Sequence, residues 1–450
     1  MANSSPELIR KYQVPSPRYT SYPTVADWTR TPAESEWIES LSESLDQCSA
    51  IGRGASIYIH IPFCESLCTY CGCNTRISRS HGVSEPYLNA LLKEWELYQT
   101  RLGREITVDE IYLGGGTPTF LSAAQLESLL TGILSKVKVA AAPLFSIEAD
   151  PRVTCEEQLS TLARLGFRRL SLGIQDFDAK VQERVNRVQT EDQVGRVTDQ
   201  ARSHGFNNVN FDLIYGLPCQ SPRSIQQTFE AVRRLAPDRI SLYPYSHVPW
   251  IKPAQRGFFE TDLPSFEEKA QLLEECQKFL AEDGFYEIGM GSFVRKSDPL
   301  WSAARERTLS RNFMGYTPRQ TSPLIGLGVS ALSASWNVFS QNEKILETYQ
   351  SRVEAGELPI LRGHVLTSED HVLRQQILNL IIRYETSWEG LESQASCLES
   401  VALRLKPLEM DGLIEVSPTA CKVTELGRGY LRNICMAFDG RYLERLRLSR

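Results

Sequence analysis

Alternating apolar and polar positions recur along the chain in short bursts. Residues 56–61 (SIYIHI), 110–115 (EIYLGG), 145–150 (FSIEAD), 169–174 (RLSLGI), 208–214 (NVNFDLI), 240–245 (ISLYPY) and 286–290 (YEIGM) each read as a strand. Longer stretches with helical spacing of apolar residues separate them, at 85–102, 122–137, 190–205 and 265–284, and an amphipathic helix is expected near 35–45. Strands alternating with helices of this length predict right-handed βαβ crossovers and a parallel sheet. Six or seven such units suffice for a partial or full (β/α) barrel, with an open doubly wound sheet as the alternative. The barrel is preferred because residues capable of chemistry follow nearly every strand at its C-terminal end. A barrel gathers such residues on one axis, whereas an open sheet spreads them out.

The pattern changes after about residue 360. Residues 367–385, 398–412 and 413–438 read as helix, helix, short hairpin, helix, a winged-helix-like arrangement. The expected organisation is an N-terminal arm and helix at 1–50, an α/β catalytic barrel at 51–358 and a mostly helical C-terminal module at 359–450. No basic recognition face is evident in that module, so a structural or substrate-covering role is expected rather than nucleic-acid reading.

Charge supports this. The 450 residues carry 49 Lys and Arg against 55 Asp and Glu, a net −6, which gives no electrostatic reason to expect a polyanion. The basic last stretch, GRYLERLRLSR, is accounted for by a solvated helix end. There is no long apolar run, and the first residues are polar and proline-rich, so membrane insertion is not expected and the cytosol is. No exposed heptad or apolar stripe stands out, so a monomer is expected. In a reducing compartment the eleven cysteines stay mostly as thiols, which points a dense cluster toward metal or catalysis. Seven are scattered singly (Cys48, Cys155, Cys219, Cys276, Cys397, Cys421, Cys435) and are expected to be buried as small apolar residues.

The other four, Cys64, Cys68, Cys71 and Cys73, lie within ten residues just after the first strand, in YIHIPFCESLCTYCGCN. The spacing is C-x3-C-x2-C-x-C, and three readings compete. Zinc prefers four ligands in two separated pairs. A redox dithiol needs one C-x-x-C pair, not a quartet. An iron–sulfur cluster held by Cys64, Cys68 and Cys71 would leave one iron open for another ligand. The third reading is preferred, on what surrounds the cysteines.

The triplet Cys64, Cys68, Cys71, with Tyr70 just before the third cysteine and GGGTP at 114–118 after the second strand, resembles the radical S-adenosylmethionine superfamily. That resemblance implies a [4Fe–4S] cluster whose open iron chelates S-adenosylmethionine. One electron then splits the sulfonium to give a 5′-deoxyadenosyl radical that abstracts a hydrogen atom. The stretches KYQVPSPRYTSYPT (11–24), CGCN (71–74), SIEADPR (146–152), SLGIQDFD (171–178), VNRVQ (185–189), FDLIYGLP (211–218), RNFMGYT (311–317), GLGVSAL (326–332) and RNICMAFD (432–439) are similar to those of one member family, the oxygen-independent coproporphyrinogen III oxidases. This likeness runs almost end to end. It implies that coproporphyrinogen III is the substrate, that two of its propionates become vinyl groups to give protoporphyrinogen IX, and that an external one-electron reductant is needed. It also implies two S-adenosylmethionine molecules. By the resemblance, Tyr58, Gly115, Glu148 and Leu332 contact the first. Tyr70, Gly116, Thr117, Gln175, Arg187, Asp212 and Ser246 contact the second. Cys73 is treated as a non-ligand.

Other candidates rest on residue type alone. His60 and His247 face substrate or sit as satisfied core histidines. Arg18, Arg256 and Arg311 are candidates for propionate binding, since an apolar macrocycle edged by carboxylates needs guanidinium partners. The RYTSYP arm either folds over the site or is a loose terminus. One departure from the family pattern stands out: Gly291 and Ser292 in EIGMGSFVR occupy places where the oxidases usually carry an Asp-His pair. The alternatives are therefore a related radical enzyme acting on another tetrapyrrole, a haem-binding or haem-delivery protein on the same scaffold, or a zinc-stabilised module.

Overall fold

The computed structural model describes residues 5–320, 323–391 and 398–448. Six parallel strands follow one another in the sheet: β1 (Ala55–Ile61), β2 (Thr107–Gly115), β3 (Lys138–Ala149), β4 (Arg169–Gln175), β5 (Asn208–Tyr215) and β6 (Arg239–Pro244). Each crossover carries a helix: Ser84–Leu102, Ala123–Leu134, Glu156–Arg164, Glu191–Ser203 and Pro222–Leu235. Sequence sets the helix starts. Ser122 and Gln125 form a reciprocal capping box, as do Thr190 and Gln193, satisfying amide groups that a helix leaves orphaned.

The run at 286–290 does not continue the parallel series. It forms β7 (Tyr286–Gly289), which pairs antiparallel with β8 (Ser292–Val294), itself antiparallel to β6. Only two residues, Met290 and Gly291, separate β7 from β8, too few for a crossover and enough for a hairpin. A separate hairpin, β9 (Ser310–Asn312) and β10 (Gly315–Thr317), follows. β11 (Leu324–Leu327) then returns to the other side of β1 in parallel, with Ile57 between Ile325 and Ile111. β12 (Leu332–Ala334), β13 (Val338–Asn342) and β14 (Ile360–Val365) extend the sheet antiparallel, so its last strand lies beyond residue 358. The result is a twelve-stranded sheet with two edges, a partial barrel.

The lumen of this barrel is polar. Along β4, Leu170, Leu172 and Ile174 are buried toward the helices, while Arg169, Ser171, Gly173 and Gln175 face inward. In β5 the same alternation buries Val209, Phe211 and Leu213 and turns Asn208, Asn210 and Asp212 inward. Each buried branched side chain contributes roughly 1.5–3 kcal/mol, so the outer layer stabilises the scaffold and leaves the lumen free for chemistry.

The C-terminal module packs helices Ser368–Arg383 and Leu398–Met410 against a three-stranded sheet of Glu385–Ser387, Ile414–Ser417 and Ala420–Val423, followed by helices Leu431–Met436 and Gly440–Leu448. Its own core includes Leu380, Val401, Leu405, Ile434 and Phe438, together with Tyr19 and Tyr22 of the N-terminal arm. The arm is therefore part of the packed structure, beginning with a short helix, Pro6–Tyr12. No described helix is long and apolar enough to cross a membrane.

The single cysteines divide. Cys48, Cys276, Cys421 and Cys435 are buried as expected. Cys155 is exposed and Cys219 half-buried, contrary to that expectation. Cys155 stands at the N-cap of helix Glu156–Arg164, where its backbone N–H donates to Gln158 Oε1 at 2.8 Å; caps lie at surfaces. Cys397 lies outside the described residues.

Candidate active site

β1 ends at Ile61, and the chain turns through Pro62 into a two-residue strand, Phe63–Cys64, that pairs in parallel with Arg76–Ile77. This bridge closes residues 64–76 into a lobe over the barrel's C-terminal rim. Gly115 and Gly116 let β2 run flush beneath it. A Cβ on Gly115 would lie 2.8 Å from the His60 ring, and one on Gly116 would lie 2.7 Å from the Pro62 carbonyl oxygen. The His60 ring and the backbone just past β1 thus demand glycine here, at a φ of +119° for Gly115.

Beneath the lobe opens a cavity of about 1210 Å³. Cys64, Cys68 and Cys71 all line it as free thiols, and so does Cys73. The Cys64 sulfur is 3.3 Å from Thr117 Oγ1. The Cys68 sulfur accepts from Arg187 Nη1 at 3.6 Å and Arg152 Nη2 at 3.8 Å. The Cys71 sulfur accepts the Cys73 backbone N–H at 3.4 Å. A polynuclear cluster offers a separate iron corner to each thiol, and three thiols opening onto one cavity fit that donor set.

Opposite the lobe, the inward residues of β2–β6 form a polar wall. The Glu148 carboxylate accepts from Tyr112 Oη at 2.9 Å and from the Gly115 N–H at 3.1 Å. Burial, then the charge of Asp212, pushes the Glu148 carboxyl up to about 7. Asp212 accepts from Ser171 Oγ at 2.8 Å and Asn210 Nδ2 at 3.0 Å, and burial raises its carboxyl despite them. Two carboxyls reluctant to ionise in one cavity favour a cationic guest. Gln175 ends β4 at a φ of +67° beside a register shift, a conformation that costs energy for a side chain other than glycine. Its side chain reaches the same cavity.

The cavity wall includes every expected cluster and cofactor residue except Tyr58 and Leu332, whereas His60 and Arg311 do not line it. Tyr58 lies on β1 with its hydroxyl 3.1 Å from His60 Nδ1 and its ring against Tyr112. Leu332 lies on β12, paired with Gln341. Arg187 reaches the cavity but commits its donors to the Gly173 carbonyl, Asp150 and Cys68. His60 is a satisfied buried histidine between Tyr58 and the Asn74 carbonyl, and burial lowers its pKa to about 4. His247 pairs with Tyr245 Oη at 2.9 Å, and Arg256 donates to the Pro249 carbonyl; neither lines the cavity. Arg18 does. Ser292 also lines it, while Gly291 forms the β7–β8 turn at a φ of +81°, where a Cβ would lie 2.2 Å from the Leu242 carbonyl oxygen.

Sequence reasoning passed over Tyr112, Ser171, Asn210, Tyr243 and the Asp150–Arg152 pair, all in the cavity wall. The signal was available. Polar residues at every second position of strands otherwise apolar mark the inward face: Ser146, Glu148, Asp150; Ser171, Gln175; Asn210, Asp212.

Comparison with known proteins agrees with this geometry. The Radical SAM superfamily matches residues 58–232. An oxygen-independent coproporphyrinogen III oxidase from Pseudomonas aeruginosa is 39% identical, over 99% of this chain and 97% of the relative. The protein of that name from Escherichia coli K12 is 38% identical, over 98% and 96%. A solved structure, described as coproporphyrinogen III oxidase (HemN) from Escherichia coli, a radical SAM enzyme, superposes with a TM-score of 0.87 at 39% identity, covering 94% of this chain and 97% of that one. Superfamily membership implies a [4Fe–4S] cluster and S-adenosylmethionine, and the thiols and polar wall fit both. With the cysteine lobe, the partial barrel and this near full-length likeness together, the chain belongs to the oxygen-independent coproporphyrinogen III oxidases of the radical SAM superfamily.

Proposed function

We propose that this protein converts two propionates of coproporphyrinogen III to vinyl groups without molecular oxygen, yielding protoporphyrinogen IX. The observation that carries the reading is the joint opening of Cys64, Cys68 and Cys71 onto one large cavity with a carboxyl-bearing wall, in a chain alike end to end to oxidases of that name. When bound, the cluster and S-adenosylmethionine supply one electron and a 5′-deoxyadenosyl radical. At the substrate, each propionate would give a β-hydrogen atom to that radical and one electron to an external one-electron acceptor, and release carbon dioxide, leaving a vinyl group.

The chain's own residues divide the work. Cys64, Cys68 and Cys71 hold the cluster, and Arg187 and Arg152, both anchored on Asp150, steady the Cys68 sulfur by charge-assisted hydrogen bonds. Glu148, fixed by Tyr112 and Gly115, receives the ammonium or ribose hydroxyls of the first S-adenosylmethionine; Tyr58 and Leu332 back that wall. Asp212, Gln175, Ser246, Thr117, Gly116 and Tyr70 offer polar contacts to a second molecule, with Arg187 shaping its pocket. The cysteine lobe covers the reacting centre and limits water, which guards a radical against side reactions.

The test is anaerobic reconstitution followed by product analysis. About four irons per chain are expected for a cube, with release of 5′-deoxyadenosine and formation of vinyl groups from coproporphyrinogen III under an external one-electron reductant. Tight haem binding with no vinyl product would instead favour a carrier, and a colourless zinc protein would sink the reading.

A further inference from the structure

Arg18 and Arg311, from distant parts of the chain, come together beside the cavity, and Arg432 lies within electrostatic reach of both. Arg18 is exposed on the arm and lines the cavity. Arg311, on β9, donates through Nη1 to the Tyr19 carbonyl at 2.6 Å, which brings it against the residue after Arg18. Its Nε is buried without a hydrogen-bond partner. Arg432, on helix Leu431–Met436, adjoins Asn433, whose amide donates to the Tyr12 carbonyl of the same arm at 2.9 Å. Burial lowers the pKa of Arg432, and the charges of Arg18 and Arg311 lower it further, against Tyr215.

Nearby acids have other partners. Asp439 accepts from Tyr19 Oη and the Tyr442 N–H, Asp27 pairs with Arg445, and Asp370 pairs with His364 and Arg441. Among the described residues none of the three arginines has an ion pair. The positive charge of Arg311 also reaches Tyr243 and Tyr316 in the cavity wall. For Arg311, with its buried unpaired Nε, and for the desolvated Arg432, an unneutralised guanidinium is costly, and the cost is offset when an anion docks.

We propose that Arg18, Arg311 and Arg432 form a cradle for ring-borne carboxylates, built jointly by the arm, the β9–β10 hairpin and the C-terminal module. This rests on the tetrapyrrole reading above and names what holds the substrate's charged edge. Guanidinium suits the task because it pairs bidentately with carboxylates and stays charged. The arm and module thereby act in substrate binding, remote from the sulfur chemistry.

Among the described residues the side chains of Arg18 and Arg432 make no hydrogen bond, so replacing them removes charge while leaving the backbone framework in place. The test measures retention of coproporphyrin III, which keeps the carboxylates, by the reconstituted full chain on ultrafiltration. Iron content and melting temperature serve as checks of the fold. Arg18→Gln and Arg432→Gln should each weaken binding about tenfold and the double variant about a hundredfold. Arg18→Lys should recover part of the loss, and KM for coproporphyrinogen III should rise more than kcat falls. Wild-type retention in the double variant overturns the cradle, and if the parent protein still forms vinyl groups the decarboxylase reading survives. Lost retention in the variant supports the cradle. If the parent binds the porphyrin yet forms no vinyl group, the cradle stands and the decarboxylase reading falls.

Discussion

The Arg187 guanidinium bridges Asp150 and Cys68, with Nη1 3.0 Å from the carboxylate and 3.6 Å from the sulfur. Both donor and sulfur are nearly closed to solvent, at 7% and 8% exposure. Hydrogen bonds and positive charge at a ligating sulfur stabilise the reduced, more negative state of a cluster. Arg187→Met, which keeps the bulk and removes the charge, is expected to retain the cluster and to lower its reduction potential. The shift should be on the order of 60 mV, a tenfold change for one electron. An anaerobic redox titration followed by electron paramagnetic resonance measures it, and an unchanged midpoint would show that Arg187 serves only to fix the loop.

The four thiols in the lobe are expected to be unequal. Cys64→Ala, Cys68→Ala and Cys71→Ala should each lose the cluster and turnover, while Cys73→Ala should keep about four irons per chain. Iron and sulfide analysis after reconstitution decides this. Loss of the cluster in the Cys73 variant would mean a fourth protein ligand and no open iron.

Glu148 gives a stability prediction with a definite sign. Its folded pKa of about 7 lies above the ordinary carboxyl value of 4.5. Between those values the unfolded chain has lost the proton that the native state keeps, so stability falls as pH rises through this window and stays lower above it. Glu148→Gln should therefore raise the stability of the cluster-free protein at pH 8 and leave it nearly unchanged at pH 4.5. The gain should be on the order of 1–2 kcal/mol, less than the full shift because the carboxyl faces an open cavity. Urea melts at the two pH values test it. The same variant should bind S-adenosylmethionine more weakly, since it offers no negative charge.

Restoring an acid at position 291 should fail in this backbone. With a Cβ 2.2 Å from the Leu242 carbonyl and a left-handed φ, Gly291→Ala is expected to cost about 1–3 kcal/mol, and Gly291→Asp no less. Ser292→His is expected to fold, because Ser292 borders open space. A Gly291→Asp protein with wild-type melting would show that the turn relaxes easily.

Much of this was legible in the primary structure, for reasons that differ by residue. The six strands of the parallel core were readable because β-rich runs alternate with amphipathic helices. The cysteine lobe was readable because its spacing is local. The hairpin at Tyr286–Val294 was not, since a burst of alternation does not say which neighbour a strand will pair with. Arg432 was invisible because its interest lies in its electrostatic reach to Arg18 and Arg311, which are remote from it in sequence. The engagement of Arg187 with Asp150 is likewise a tertiary fact: an arginine in a motif looks free until its partners are seen.

The hydrogen bond from Tyr19 to Asp439 joins positions 420 residues apart. This tie of the arm cannot form until position 439 has left the ribosome. Throughout that interval the thiol lobe borders a basin without its roof, open to whatever machinery delivers iron and sulfide. Metallation early, roofing late is the order of assembly that this connectivity favours.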